Sequence, residues 1–294
     1  VAIEDGLISE HFLPQWPLVR SLYERACGGV FEGPWQIHEP GSLKLAETEF
    51  LQTAPKLTPE QVAQVQANFK ARGARISHDV VSEVTAPHIA SPDVHVDDKN
   101  QQVIMYYHGL EGVGHQVTRA AISNDGIRFR SNSEVLGRTY WRSFQHGGHY
   151  YALAMPGQVY RSSEPLTGYK KGPLLFNANM RHNAVLVLGD VLHVFWTQVG
   201  DVPEHVKHST VDLSADWQRW KVEGDVEVLR PEFAWEGAEA PLEPSVRSTA
   251  YGVVNQLRDP AIFIDTDGEG APIYLLYAIG GEAGVALARV EIGP

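Results

Sequence analysis

The chain is poor in cysteine and in positive charge. One cysteine, Cys27, stands among 294 residues. It excludes an intrachain disulfide, and no Cys-x-x-Cys pair exists for structural zinc. A lone cysteine usually serves as a small apolar filler. Lysine and arginine number 24 against 36 aspartates and glutamates, a net charge of −12. An acidic surface of that kind repels phosphate backbones, so nucleic acid is not an expected partner. No apolar run approaches the roughly 18 residues of a membrane span, and no basic amphipathic stretch favours a membrane surface. The opening "VAIEDGLISEHF" lacks a basic region followed by an apolar core. The expectation is a soluble protein with no visible signal peptide, cytoplasmic or periplasmic. Also absent are the phosphate-cradling G-x-G-x-x-G and G-x-x-x-x-G-K-[ST] loops, the G-x-S-x-G elbow and H-E-x-x-H.

What the chain does have is strands. Hydrophobic residues make up 43% of it, enough for a packed core. From about residue 86 onward, short runs rich in β-branched and aromatic residues alternate with Gly, Asp and Asn turns. "QQVIMYYHGL", "HYYALAMPG", "DVLHVFWTQVG" and "PIYLLYAIGG" are the clearest. A run–turn–run form recurs in units starting near residues 88, 141, 181 and 256, so about 40 to 75 residues apart. Repeated β-meanders at that spacing point to propeller blades. A two-sheet sandwich accounts for the strands but not for the repeated form. "AAISNDGIRF" and "HSTVDLSADWQRW" read as the outer halves of four-stranded blades.

Residues 1–85 differ. "LTPEQVAQVQANFKARG" predicts a helix over 58–72: Thr58 caps it, Pro59 suits its first position, Gln61 completes a capping box and Gly73 ends it. "PLVRSLYERACGG" offers a second short helix, and a fifth blade would draw on "PWQIHEPGSLKLAE". The expected organisation is an N-terminal segment over 1–85 and blades over 86–294, together forming one catalytic domain.

The unit "RDPAIF" (258–263) and the Ser-x-Asp-Gly-x-x-Phe pattern from Ser123 to Phe129 resemble the five-bladed β-propeller glycoside hydrolases, families 43, 62, 32, 68 and 117. The resemblance covers roughly residues 86 to 290. It implies an all-β, five-bladed propeller whose innermost strands line a funnel, with acidic residues at the strand starts acting on a furanose or pyranose. It further implies that Asp259 points into the funnel and that Arg258 holds a sugar hydroxyl or a neighbouring carboxylate. The bland alternative is an Arg-Asp pair that only ties blades together. In "SPDVHVD" the place before proline is Ser91, with a carboxylate two residues on at Asp93. In "RHNAVLV" the aspartate place falls to His182, beside Arg181. This departs from a set of three funnel aspartates.

Glycosidic hydrolysis needs two carboxyl groups flanking the scissile bond, one to protonate the leaving oxygen and one to activate water or attack the sugar. Asp259 and Asp93 are the candidates for the ionised partner. For the acid, "FAWEGAEAPLEPS" carries Glu236, Glu239 and Glu243. "WEGAEAP" loosely resembles the Glu-Gly-Pro stretch that bears the acid in family 43, which favours Glu236. Glu204 in "GDVPEHV" is the reserve. Arg258, Arg181, His182 and His88 are expected to orient substrate, with Trp235 and Trp141 as stacking platforms. No cofactor is required. The resemblance admits a divalent cation in the central channel, and His88, His182 and His146 are the metal candidates. The expected partner is a small saccharide cleaved at a terminal bond. The alternative is a propeller with a histidine- or metal-containing site acting as a lyase or isomerase, or a sugar-binding protein without turnover.

Overall fold

Each apolar run pairs with the next through a tight turn, so the chain builds its sheets locally. The structure, a computed structural model, describes residues 7–8, 41–71, 79–265 and 270–293. Strand β1 spans Leu7–Ile8. Helix α1 (Pro59–Ala71) and helix α2 (Val80–Thr85) follow. The first blade comprises β2 (Ile89–Asp97), β3 (Gln102–Gly112), β4 (His115–Ser123) and β5 (Arg130–Ser131). The second comprises β6 (Arg142–His146), β7 (His149–Ala154), β8 (Gln158–Ser162) and β9 (Lys170–Leu174). The third comprises β10 (Met180–Leu188), β11 (Val191–Gln198), β12 (Val206–Asp212) and β13 (Val222–Leu229). The fourth comprises β14 (Arg258–Ile264), β15 (Ile273–Ile279) and β16 (Gly284–Val290), with β1 added antiparallel to β16 as its outer strand.

The described residues therefore form an all-β propeller of four blades, where five were expected. The stretch assigned to a fifth blade lies outside the described residues up to residue 40. Within the remainder, Leu45–Glu47 form a short 3-10 turn rather than a strand. The second helix expected in "PLVRSLYERACGG", Cys27 and the Gly73 stop also lie outside the described residues. Helix α1 forms as its sequence predicts: Thr58 N–H donates to Gln61 Oε1 at 2.8 Å and Gln61 N–H to Thr58 Oγ1 at 3.3 Å.

The turns explain two motifs. "HGGH" is a two-residue hairpin: His146 pairs with His149, and Gly147 and Gly148 take φ of 54° and 75°. Both central positions need positive φ, which glycine supplies without strain. The Ser-x-Asp-Gly stretch is a side-chain-built turn. Ser123 Oγ accepts from Gly126 N–H at 2.9 Å, and Asp125 Oδ1 accepts from the amides of Ile127 and Arg128.

The core lies between blades. Tyr106, Trp141 and Tyr160 join blades one and two. Leu153, Trp196 and Trp217 join two and three, and Phe195, Leu275 and Tyr277 join three and four. The innermost strands β2, β6, β10 and β14 are left around a shared central space.

Candidate functional site

One irregularity repeats in all four blades and fixes the site. Ala90 pairs with His108 and Asp93 with Tyr106, so three steps on β2 match two on β3. The same offset separates Met180 from Asn183 on β10 and Arg258 from Ala261 on β14. In blade two, Met155 N–H donates to Thr139 O while Arg142 pairs with Leu153, which is again three against two. A bulge of this kind re-aims the residue that it releases from the ladder. That residue, two positions before the first regular pair, is Ser91, Tyr140, Arg181 and Asp259 in the four blades. Three of them are left-handed: Ser91 at φ 53°, Tyr140 at 54° and Asp259 at 45°. Each such conformation costs a non-glycine residue on the order of 1–3 kcal/mol, and such residues cluster at functional sites. The ladder corrects one alignment: the place of Asp259 is taken in blade three by Arg181, with His182 at the place of Pro260.

All four residues line one central cavity of about 1030 Å3, as do Asp93, His182 and His88. Asp93 sits on its wall under tight control. Its Oδ2 accepts from His95 Nε2 and from Ser143 N–H, each at 2.7 Å. Burial works to raise its pKa, but the His95 charge and hydrogen bond, Arg142 and the Ser143 amide together hold it below the usual aspartate value. Burial works to lower His95, and Asp93 overcomes this and raises it.

Asp259 has the opposite environment. Burial pushes its carboxyl up to about 6, with Glu282 adding to the rise and Arg181, Arg142 and Arg258 opposing it. Its backbone N–H donates to His182 Nδ1 at 3.2 Å. The same Nδ1 lies 3.2 Å from Asp259 Oδ1, so it faces both the backbone amide and the carboxyl of Asp259. Burial, then the charges of Arg181, Arg258, Arg142 and His108, hold His182 well below the ordinary histidine value. His108 is lowered to about 3 by burial, His88 and Arg142, and its buried Nδ1 has no partner among the described residues. Between the two imidazoles lies Tyr140, 4.8 Å from the His108 ring and 4.6 Å from that of His182.

Several residues expected at the site lie elsewhere. Glu236 is fully buried outside the cavity. Its Oε2 accepts from the amides of Glu232 and Phe233, and its Oε1 accepts from the Tyr277 hydroxyl at 2.9 Å. Glu239 and Glu243 are exposed and do not line the cavity. Glu204 is also fully buried, 3.3 Å from Arg181 and 3.6 Å from Arg258. Arg258 is sealed from solvent. It donates to Gln256 Oε1, and at 3.2 Å each to Ser248 O and Glu282 Oε1. These partners lie on the loops around β14, and Arg258 does not line the cavity. Arg181 lines the cavity, yet its bonds run to Glu204, Val246 O and Ser248 O. Trp141, 1% exposed, packs against Tyr106 and Tyr160 in the core. Trp235 stacks on Phe233 away from the cavity.

The metal candidates do not assemble. His146 faces Asp190 outside the cavity, His88 Nδ1 bonds Ala86 O, and His182 Nδ1 faces the amide and carboxyl of Asp259. Among the described residues no group of three His, Cys, Asp or Glu could hold an ion. Sequence reasoning missed Tyr140, Arg142, His95 and His108. Arg142, buried in the cavity wall, donates to Asn183 O and Ser91 O, which links three blades. The available signals were the "TYWR" start of a blade unit and the "DVH" alternation of β2.

No family model matches the chain. It is 31% identical over 277 residues to the uncharacterized protein R118 of Acanthamoeba polyphaga mimivirus, across 88% of this chain and 70% of that protein. Among solved structures it is similar to an α-L-arabinofuranosidase from Lactobacillus brevis, with TM-score 0.50, 12% identity, and 72% of this chain and 75% of that chain covered. A glycosyl hydrolase from Bacteroides ovatus follows at TM-score 0.48 and 12% identity, over 69% and 65% of the two chains. At that identity the arabinofuranosidase likeness shows the fold alone, a β-propeller. Among the described residues no helix is long and apolar enough to cross a membrane.

Proposed function

We propose, for a chain that belongs to the family of the mimivirus R118 protein, a glycoside hydrolase that cleaves a terminal glycosidic bond of a small saccharide in the central cavity. One observation carries the reading. Two carboxylates from different blades line one cavity, and their surroundings displace their pKa values in opposite directions. Such a divergence separates a proton-carrying acid from an ionised partner. Asp259, raised to about 6, is the acid, a role that the sequence had given to Glu236. It gives its proton to the leaving oxygen as the C–O bond breaks. Asp93 stays ionised and receives the proton of the incoming water, whose oxygen joins the sugar carbon. Both protons travel through side chains, so the scheme requires no cofactor. A cavity of about 1030 Å3 suits a small saccharide. The fold likeness to an arabinofuranosidase places furanosides among the first substrates to try.

The test is a panel of 4-nitrophenyl pyranosides and furanosides with the native protein and its Asp259→Asn and Asp93→Asn variants. The expected outcome is turnover of at least one glycoside, with kcat/KM reduced about 10³-fold or more in either variant. The native rate should decline as pH rises through about 6, because the acid must hold its proton. Turnover that persists in Asp259→Asn removes the assignment. A second reading, sugar binding without turnover, is favoured by the two donors that already occupy Asp93 Oδ2. Saturable binding with no release of nitrophenol would select it.

A further inference from the structure

The four-fold bulge puts one side chain per blade at the same place in the cavity, and blade two supplies a phenol. From this position we infer that Tyr140 is a catalytic residue, whose hydroxyl donates a hydrogen bond to the substrate oxygen at the reacting bond, beside the Asp259 carboxyl. The inference rests on the hydrolase reading above and adds a third reacting group to it.

Three observations support it. Tyr140 shares its position with Ser91, Arg181 and Asp259, and its φ of 54° is within 9° of both Ser91 and Asp259. A bulky residue in the left-handed region is a backbone outlier, and here the strain repeats at three equivalent points around one cavity. The ring is also held from two sides. His108 and His182 flank it at 4.8 and 4.6 Å, which leaves it little freedom to turn away. Thirdly, the hydroxyl stands among the groups that would do the chemistry. Tyr140 lines the cavity together with Ser91, Asp259, Arg181 and Glu282, and the charges of the last three act on its phenol.

Its protonation state fixes the role. Burial, with Asp259 second, pushes the phenol up to about 12, so Tyr140 keeps its proton and acts as a donor. A donor aimed where charge develops is worth more in the transition state than in the bound ground state. A group of this kind mainly supports kcat, and its loss has a recognisable kinetic form.

The decisive variant is Tyr140→Phe, which removes one oxygen and keeps the ring between the histidines. Its melting temperature should stay within about 2 °C of the native value, and Tyr140→Leu serves as a variant that does disturb the stack. On the glycoside panel, Tyr140→Phe should lose about 10²-fold in kcat/KM, most of it in kcat. Native rates in a folded Tyr140→Phe protein would overturn the inference and leave the carboxylate reading standing. Should the native protein cleave no glycoside, the catalytic role falls with the carboxylate reading, and calorimetric titration with D-xylose, L-arabinose and D-galactose then decides only whether Tyr140 contacts sugar. Binding at least tenfold weaker in Tyr140→Phe supports contact with the sugar. Equal binding, or no binding by the native protein, overturns it.

Discussion

At the scale of single residues, burial decides which titratable groups can change charge. His193 Nδ1 and His208 Nε2 lie 3.0 Å apart, with rings stacked at 5.2 Å, between β11 and β12. One ring must donate and the other accept, so two imidazolium ions cannot share this geometry. Burial lowers both below the ordinary 6.5, and the charge of His193 adds to the lowering of His208. The unfolded chain takes up protons near 6.5 and the folded pair resists them. The pair's contribution to stability is therefore complete above about 6.5 and is lost as pH falls through the folded values. His108 and His182 act in the same direction. His95 acts in the other, since Asp93 raises it and its contribution fades as pH rises. Thermal unfolding followed at pH 7, 6 and 5 should show a falling midpoint. His208→Gln should flatten that slope, because a neutral amide replaces a proton acceptor. An unchanged slope in His208→Gln would clear the pair of responsibility.

At the scale of elements, the bonds of buried Glu236 hold a turn against a strand. Glu236 closes a 3-10 turn over Ala234–Glu236 by receiving two amides, and it reaches across to Tyr277 on β15. Glu236→Ala would leave the buried Tyr277 hydroxyl and two backbone amides without their partner, at a cost of about 3 kcal/mol. Urea unfolding should show that loss, while kcat of the folded fraction stays near native. A large kcat loss without a stability loss would restore Glu236 as a proton donor. The sequence could not separate these cases. A glutamate in a Gly- and Pro-rich loop reads as a funnel carboxylate because its partner, Tyr277, lies 41 residues downstream. Strands and hairpins were legible for the converse reason. Asn124-Asp125-Gly126 and the two glycines of "HGGH" dictate their turns through their own φ angles and side-chain bonds. The bulges were not legible. Whether Tyr140 or Trp141 leaves the ladder depends on the register against β7, which the "RTYWRS" stretch does not encode locally.

At the scale of the whole molecule, run–turn–run repetition was enough to call a propeller, and the number of blades was not. Each blade reads the same way in sequence, but the count depends on how many sheets close round the axis, which is a long-range property. Convergence of Asp93, His182 and Asp259 on one cavity follows from the same radial plan. Closure also recruits a segment that composition set apart from the blades: β1 pairs with β16, Leu7 opposite Ala286 and Ile8 opposite Val285. Without that strand, the outer edge of the fourth blade would present unpaired amides and carbonyls, the usual template for association with another chain. The backbone bonds of so short a strand are worth on the order of 1–2 kcal/mol, or roughly 2–8 °C in a domain of this size. Removing the chain through residue 8 should therefore lower the melting midpoint by a few degrees and increase self-association in light scattering at high concentration. Asp259-dependent turnover should survive, because β1 lies at the rim and the cavity is built from the innermost strands. A truncated protein with native melting and no new association would show that β16 does not need its outer partner.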